Sequence, residues 1–278
     1  MQVNRDKRYY LTSDSFIVVL SSQNATQYIN GSKNSSILFD FTDTISKKSF
    51  YKMKCSVLTF SSPNSLYTIN ENNNLLSITI NSIITIISVP YGNYNSKTFI
   101  ATLLTLLPVG FNLTLNTITN QFTMSYTTNF TINSTSTIYD IIGFSLGIVY
   151  NSTNSTLTFP FSCNFNGIQS INIHFTNLKT KNIDSYTKSA STIIQSLPVE
   201  PGTGMIQYYK TNNYSFDVDD EIEFIQIDLK DNLNNCLNFN NKHWDLTLLF
   251  ENLAEFDILE KNNNFFSIVE NGYSPFNY

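Results

Sequence analysis

Charged residues are scarce in this chain of 278 residues. Lys, Arg, Asp and Glu make up 13% of the sequence, against about a quarter in ordinary globular domains. The formal net charge is −5. A protein that coats nucleic acid needs many Lys and Arg side chains to neutralise phosphates. The charge balance therefore excludes a basic coat on DNA or RNA, and we expect no specific nucleic-acid binding.

Cysteine is also rare, and its spacing excludes two kinds of site. Cys55, Cys163 and Cys236 are far apart and odd in number, and no Cys-x-x-Cys pair occurs. This pattern does not support a disulfide framework and is typical of a reducing compartment. A structural zinc site needs four closely spaced Cys or His ligands. Only His174 and His243 are present, so we predict no metal site and a structural role for both histidines.

No residues stand out as a catalytic set. The sequence has no His-Glu-x-x-His motif and no Gly-rich phosphate loop. Its one Gly-x-Gly, at Gly202 and Gly204, lies in a turn that contains proline. We therefore predict no catalytic residue, no cofactor-binding residue and no cofactor, and we expect that the protein is not an enzyme.

Export and membrane signals are missing as well. No charged segment followed by an apolar stretch opens the chain, so no signal peptide is expected. The longest apolar runs, such as residues 82–89, are far too short for a membrane span. Asn-x-Ser/Thr sequons are numerous, but a chain so rich in Asn, Ser and Thr contains them by chance: they start at Asn24, Asn30, Asn34, Asn112, Asn129, Asn133, Asn151, Asn154 and Asn213.

Alternating apolar and polar residues dominate what is present. Such alternation predicts strands with one buried and one wetter face, as in antiparallel sheets. Aromatic residues reach 14%, so a core can form. In five segments the residues predicted to point inward are Ile37, Phe39 and Phe41; Met53, Cys55 and Val57; Phe122, Met124 and Tyr126; Ile225, Ile227 and Leu229; and Trp244, Leu246 and Leu248.

Two segments have helical patterns instead. Residues 96–107 carry an apolar stripe, with Asn95 or Ser96 as the N-cap. Residues 137–142 predict a shorter helix, with Ser136 as N-cap and Gly143 as the stop. The segment before the first helix, Val89-Pro90-Tyr91-Gly92, fits a type I turn. This reading makes it a joint between strand and helix and not an aromatic ligand loop.

Charge is locally concentrated in two places. Residues 216–224 hold five carboxylates, between Asp217 and Glu223. A weak Ca²⁺ site is one reading, and a solvated acidic turn is the favoured one. The basic residues 4–10 form either a solvated arm or an arm that touches a neighbouring subunit or an acidic interior.

The order of several short motifs resembles the penton and related minor capsid proteins of virophages, Polinton-like viruses and larger relatives. The motifs on which the resemblance rests are "VPYG" before a short helix, "IIGF" at residues 141–144, and a late hairpin leading to Trp244-x-Leu246-x-Leu248. The resemblance covers about residues 10–255. The hairpin turn "KDNLNN" departs from the Asp-Gly turn usual in that family.

The resemblance implies an all-β fold, a jelly-roll sandwich of two packed antiparallel sheets, about eight strands, with an inserted β-rich subdomain that carries one or two short helices. The expected division is an N-terminal arm (1–14), the sandwich (15–84 and 162–250), the inserted subdomain (85–161) and a C-terminal tail (251–278).

The function implied by the resemblance is structural. A penton capsid protein forms homopentamers at the icosahedral vertices, so the expected partners are further copies of this chain and the major capsid protein. The expected location is the virion capsid, assembled inside the host cell. Two alternatives stay open: a minor capsid or cement protein between major capsomers, and a carbohydrate-binding or adhesive β-sandwich.

Overall fold

A computed structural model describes residues 7–41, 53–176, 183–184, 189–190, 192–200, 202, 204–210, 215–218 and 222–257. Strands predominate in this part of the chain, with the helices α1 Ser96–Leu106 and α2 Tyr139–Ile142. The strands are β1 Lys7–Ser21, β2 Gln27–Tyr28, β3 Ser36–Asp40, β4 Met53–Pro63, β5 Leu75–Ile80, β6 Ile83–Ser88, β7 Asn112–Asn116, β8 Gln121–Ser125, β9 Phe130–Ile132, β10 Tyr150–Asn151, β11 Thr156–Thr158, β12 Ser170–Phe175, β13 Ile183–Asp184, β14 Ser189–Ala190, β15 Ile193–Pro198, β16 Ile206–Lys210, β17 Ser215–Val218, β18 Phe224–Lys230 and β19 Asp245–Asp257.

Two antiparallel sheets form a jelly-roll sandwich. The first sheet has the order β1-β19-β4-β16, and β17 also pairs with β4. The second sheet has the order β15-β12-β18-β3-β2. If β16 and β17 are counted as one strand and the short β2 is left out, the sandwich has eight strands. Numbered in chain order, strands 1, 8, 3 and 6 form the first sheet, and strands 5, 4, 7 and 2 form the second. This double-sheet order is that of a jelly roll, so the predicted fold class is confirmed.

The sandwich core lies between the two sheets. Trp244 is completely buried and packs against Phe39 and Phe60, with ring centroids 6.4 and 6.1 Å away. Its indole Nε1–H donates a hydrogen bond to the carbonyl of Asn34 at 2.6 Å. The alternation correctly predicted which residues point inward in all five segments, with Phe41 and Tyr126 only partly buried.

The insertion between β4 and β12 forms a second body with its own core. It contains the sheets β10-β9-β5-β6 and β11-β8-β7 together with α1 and α2. The sandwich core uses residues up to Leu66 and again from Ile171, whereas the second core begins at Ile69. The boundary predicted between residues 84 and 85 falls inside β6, but the buried residues of both β5 and β6 pack in the second core.

Helix α1 forms for local reasons. The side chain of Asn95 accepts hydrogen bonds from the backbone N–H groups of Lys97 and Thr98, each at 3.0 Å, which completes a capping box. The predicted helix and N-cap are confirmed. The turn predicted before it is not closed by a hydrogen bond from Gly92 to Val89, because Gly92 exchanges backbone hydrogen bonds with Ile69 instead.

Helix α2 starts later than predicted. It begins at Tyr139, and Ser136 is not its N-cap, because the Ser136 hydroxyl accepts a hydrogen bond from the distant backbone N–H of Ser77 at 2.9 Å. Gly143 ends the helix as predicted, with φ of 95°. A side chain there would overlap the carbonyl oxygen of Phe161, so only glycine fits. Neither α-helix in the described residues is long and apolar enough to span a membrane.

The two ends of the described chain pair with each other. Strands β1 and β19 run antiparallel from Lys7↔Asp257 to Ser21↔Asp245, with one irregularity between Leu11 and Ser15. The strands therefore extend into the segments predicted as an arm (1–14) and a tail (251–278). Residues 1–6 and 258–278 lie outside the described residues.

Candidate functional site

The first sheet of the sandwich presents apolar side chains to the outside. Because alternate residues of β1 point into the core, Ile17 and Val19 point outward, and 70% of the Val19 surface is exposed. Strand β19 places Leu249 opposite Ile17 and Thr247 opposite Val19. The rows continue onto β4, where the Thr59 hydroxyl bonds to that of Thr247 at 2.9 Å. Methyl and hydroxyl groups thus cover the middle of this face.

The opposite edge of the same sheet has a similar character. Ile206 and Tyr208 of β16 are exposed and pair with Pro63 and Ser61 of β4. We call this outward surface the apolar face; it consists of Ile17, Val19, Thr59, Ser61, Ile206, Tyr208, Thr247 and Leu249.

Few charges interrupt the apolar face. Asp245 points outward beside Ser61, and Lys210 continues the row of Thr59, Thr247 and Val19 on β16. Glu251 lies opposite Lys54 beyond the other end of the face. Removing methyl and hydroxyl groups from water costs far less than removing charged groups. The face can therefore be covered by another protein at a low desolvation cost.

The centre of the outward face of the second sheet is polar, and its groups bond to one another. Asp228 is only 7% exposed; its Oδ1 accepts hydrogen bonds from the hydroxyl of Ser36 at 2.6 Å and from Gln226 Nε2 at 3.4 Å. Lys230 Nζ lies 3.7 Å from the other carboxylate oxygen. A buried charge with these partners needs no external ligand. The two outward faces of the sandwich therefore differ, and the apolar face is the candidate site for protein contacts.

Two clefts lie between the sandwich and the second body, with volumes of about 640 and 580 Å³. The larger cleft is lined by amides, including Asn93, Asn166 and Gln169, and by Tyr94 and Glu200. Amide groups both donate and accept hydrogen bonds, and an aromatic ring adds apolar surface. This lining suits a neutral, polyhydroxylated ligand better than an anion, because the only charged residue among those named is acidic.

An ion pair links the two bodies. Lys33, between β2 and β3 of the sandwich, places Nζ 2.8 Å from Oε1 of Glu71, which precedes β5 of the second body. Burial raises the pKa of Glu71, but hydrogen bonds from Lys33, the backbone and Asn238, together with the Lys33 charge, outweigh it and lower the pKa below 4.5. The carboxylate is therefore more stable in the folded protein than in the unfolded chain.

The Lys33–Glu71 link should be sensitive to acid. A carboxyl group whose pKa is lowered by folding adds stability above its ordinary pKa and loses it as the pH falls through the folded value. We expect Glu71→Gln to destabilise the protein by at most ~1 kcal/mol at neutral pH, since the pair is partly exposed. Thermal melts should show this difference shrinking between about pH 5 and pH 3. A difference that is equal at pH 7 and pH 3 would contradict this assignment, and Glu223→Gln, on an exposed residue, is the control.

The residues singled out in the sequence do not come together. His174 is buried in β12, with Nδ1 2.9 Å from the Thr192 hydroxyl, and Nδ1 of His243 lies 3.3 Å from the hydroxyl of Ser22. Of the acidic segment, Asp217 pairs in register with Lys54, and residues 219–221 lie outside the described residues. In the described part of the chain, no three His, Cys, Asp or Glu side chains gather closely enough to hold a metal ion.

The cysteines are poor nucleophiles. Cys55, Cys163 and Cys236 are all free. Burial raises the pKa of each thiol. Because the thiolate is the reactive form, a raised pKa makes each of these thiols less reactive than an unperturbed cysteine.

A Gly-x-Ser-x-Gly match was missed in the sequence: Gly143-Phe144-Ser145-Leu146-Gly147. A nucleophile elbow needs a strand before the serine and a helix after it. Here the order is reversed, because α2 ends at Gly143 and the described residues 144–176 contain no helix. The second body also contains no histidine to act as a base. The match is therefore a helix end, and the serine N–H donates a hydrogen bond to the Tyr150 hydroxyl at 3.1 Å.

In some sequons the asparagine amide already donates a hydrogen bond within the protein. The side-chain amide of Asn34 is buried and donates to the carbonyl of Lys242 at 3.1 Å, and that of Asn133 donates to the Ser77 hydroxyl at 2.9 Å. A glycan on either amide would break these bonds. Asn213 lies outside the described residues.

Comparison with known proteins finds similarity among solved structures only. No protein-family model and no curated protein matches the sequence. The crystal structure of the mavirus penton protein is 14% identical, with 86% of this chain and 99% of that chain covered and a TM-score of 0.43. A chain in the cryo-EM structure of the Sputnik virophage is 11% identical, with 87% and 98% covered and a TM-score of 0.45. Both similarities extend over most of this chain and nearly the whole of the other chain.

Proposed function

We propose that the protein is a structural component of a virus particle and forms homopentamers at the icosahedral vertices of its capsid. The observation that carries the proposal is the exposed apolar face of a jelly-roll sandwich whose other outward face is polar at its centre, around Asp228. The order of short motifs in the sequence supports the same reading. The partners are further copies of this chain and the major capsid protein, and the location is the virion, assembled inside the host cell.

The proposed mechanism is binding geometry. In a cyclic ring each copy uses two different surfaces, so the interface is head-to-tail. The apolar face of one copy would pack on a different surface of the next. Interface cores are poor in charged residues. None of the eight residues of the apolar face is charged, although Lys210 and Asp245 point outward in two of its rows. No catalytic step is part of this role, and we propose no enzymatic activity.

The direct test is the oligomeric state of the full chain. Mass photometry across a dilution series should show a species of five times the 31.7 kDa chain, or of ten times where two rings associate. A chain that stays monomeric at all concentrations and never copurifies with virus particles would overturn the proposal. A particle map separates the penton from the cement alternative, because a penton lies on the five-fold axes and a cement protein lies between capsomers.

The amide-lined cleft favours a second candidate function, carbohydrate binding. Gln169 and Asn93 supply hydrogen-bonding groups beside Tyr94 in the larger cleft. A glycan array in which the wild type binds and Gln169→Ala does not would support it. An array without hits would remove it and leave the structural role as the proposal.

A further inference from the structure

Strand β6 is an uncovered sheet edge in the second body. It pairs with β5 on one side, from Leu75↔Ser88 to Ile80↔Ile83, and it ends the sheet order β10-β9-β5-β6. In the described part of the chain, no strand pairs with its other side. Such an edge offers a row of backbone N–H and C=O groups to another strand.

The turn determines which backbone groups are offered. Asn81 and Ser82 have φ of 48° and 65°, which makes a two-residue hairpin turn. In such a hairpin the closing pair, Ile80 and Ile83, is hydrogen-bonded across the strands. The hydrogen bond from Val89 N–H to the Asn74 carbonyl agrees with this pattern, because Val89 is also an odd-numbered residue that bonds toward the β5 side. Odd-numbered residues of β6 therefore face β5, and the N–H and C=O groups of the even-numbered ones face the open edge.

This edge lacks the usual protection. Ile84 and Ile86, whose backbone groups face outward, are 65% and 67% exposed. No charged residue occurs between Glu71 and Lys97, and β6 contains no proline and no bulge. Natural edge strands normally carry lysine, proline or a bulge that blocks pairing with other chains. A bare isoleucine edge on a folded protein is therefore a surface that another strand covers.

The sequence of the edge identifies the occupant. Residues 82–88 read Ser-Ile-Ile-Thr-Ile-Ile-Ser, which is the same in both directions around Thr85. We propose that β6 of one copy pairs antiparallel with β6 of a second copy about a two-fold axis at Thr85. The hydrogen-bonding pattern permits this register. Ile84 pairs with Ile86 of the partner subunit, and both residues present their N–H and C=O groups at the open edge.

Every side chain meets a like side chain in this register. Ile84 lies beside Ile86 of the partner subunit on one face of the joined sheet, and Ile83 lies beside Ile87 on the other. Antiparallel neighbours of this kind are within side-chain contact. The result is one continuous sheet of eight strands, four from each copy.

Charge favours a second copy over another partner. Two copies with a net charge of −5 each repel at most surfaces, but this edge brings no like charges together. A basic or acidic partner would find no complementary charge here. The two-fold contact is separate from the head-to-tail contact of the proposed pentamer and does not depend on it.

A cysteine placed at the axis tests the register. Thr85 and Thr85 of the partner subunit form a non-hydrogen-bonded pair, with Cα atoms about 4.5 Å apart, which is within the range of a disulfide. In a background of Cys163→Ser and Cys236→Ser, mild oxidation of Thr85→Cys should give most of the chain as a covalent dimer. Thr114→Cys, on the exposed edge strand β7, is the matched control and should give little. Equal cross-linking at the two positions, or none at either, overturns the proposal.

The mass of the assembly gives an independent readout. Ile84→Lys with Ile86→Lys should halve the mass seen by mass photometry, whether the wild type is a dimer or a pair of larger rings. Ile118→Lys, at a site 91% exposed in the β7–β8 turn, should leave it unchanged. Circular dichroism would verify that both variants fold. An unchanged mass for the folded double variant overturns the two-fold contact, whereas loss of five-membered species alone bears only on the pentamer.

Discussion

Replacing Trp244 with alanine is expected to destabilise the sandwich by about 3–5 kcal/mol. The side chain is completely buried between the two sheets, and its removal leaves a cavity beside Phe39 and Phe60. It also leaves the carbonyl of Asn34 without its indole donor. Because Trp244 is the only tryptophan, its fluorescence cannot follow the variant, so urea unfolding should be monitored by far-ultraviolet circular dichroism.

Two controls separate packing from hydrogen bonding at Trp244. Trp244→Phe keeps most of the ring contacts and loses the indole N–H, so it should cost about 1–3 kcal/mol. Phe161→Ala removes an exposed aromatic ring and should change stability by about 0.5 kcal/mol or less. A loss below about 1.5 kcal/mol for Trp244→Ala would mean that the sheets close over the cavity.

Local patterns predicted the elements well. Inward residues of a strand follow a period of two, so the alternation around Met53 and Ile227 shows their burial without knowledge of the partners. The capping box of α1 is equally local, because Asn95 and Thr98 are three residues apart. Features that depend on distant residues were not predictable. Ser136 bonds to Ser77, 59 residues away, and Gly92 pairs with Ile69.

The residue at which the second core begins was not predictable for a related reason. The sandwich and the second body are both built from antiparallel strands with the same alternation, so the pattern of β5 does not show which core it joins.

The exposed apolar surfaces of β1 and β6 do have a sequence pattern, and the structure shows its meaning. In β1 and β6 apolar residues do not alternate but run together, as in "FIVV" and "IITII". In an antiparallel sheet with one covered face, such a run places apolar side chains outside as well.

The apolar face leads to the largest expected effect on assembly. A lysine at position 19 would place a charge in the middle of the proposed interface, next to Thr247. If the face is buried in a pentamer, that charge must be desolvated without a partner, and we expect association to weaken at least ~100-fold, equivalent to about 2.7 kcal/mol. The fold should not suffer, because Val19 is 70% exposed on an edge strand and edge strands tolerate lysine.

Ser196→Lys is the matched control for Val19→Lys. Ser196 is exposed on β15, the edge strand of the second sheet, and pairs with Asn172 on the polar outward face. Both variants should melt within about 2 °C of the wild type. Mass photometry should show Val19→Lys as smaller species and Ser196→Lys as the wild-type assembly. If both variants assemble like the wild type, the apolar face is not the subunit interface and the proposed packing of the ring is wrong. If only Ser196→Lys dissociates, the subunits meet through the polar face of the second sheet, and the charge-poor surface serves another contact.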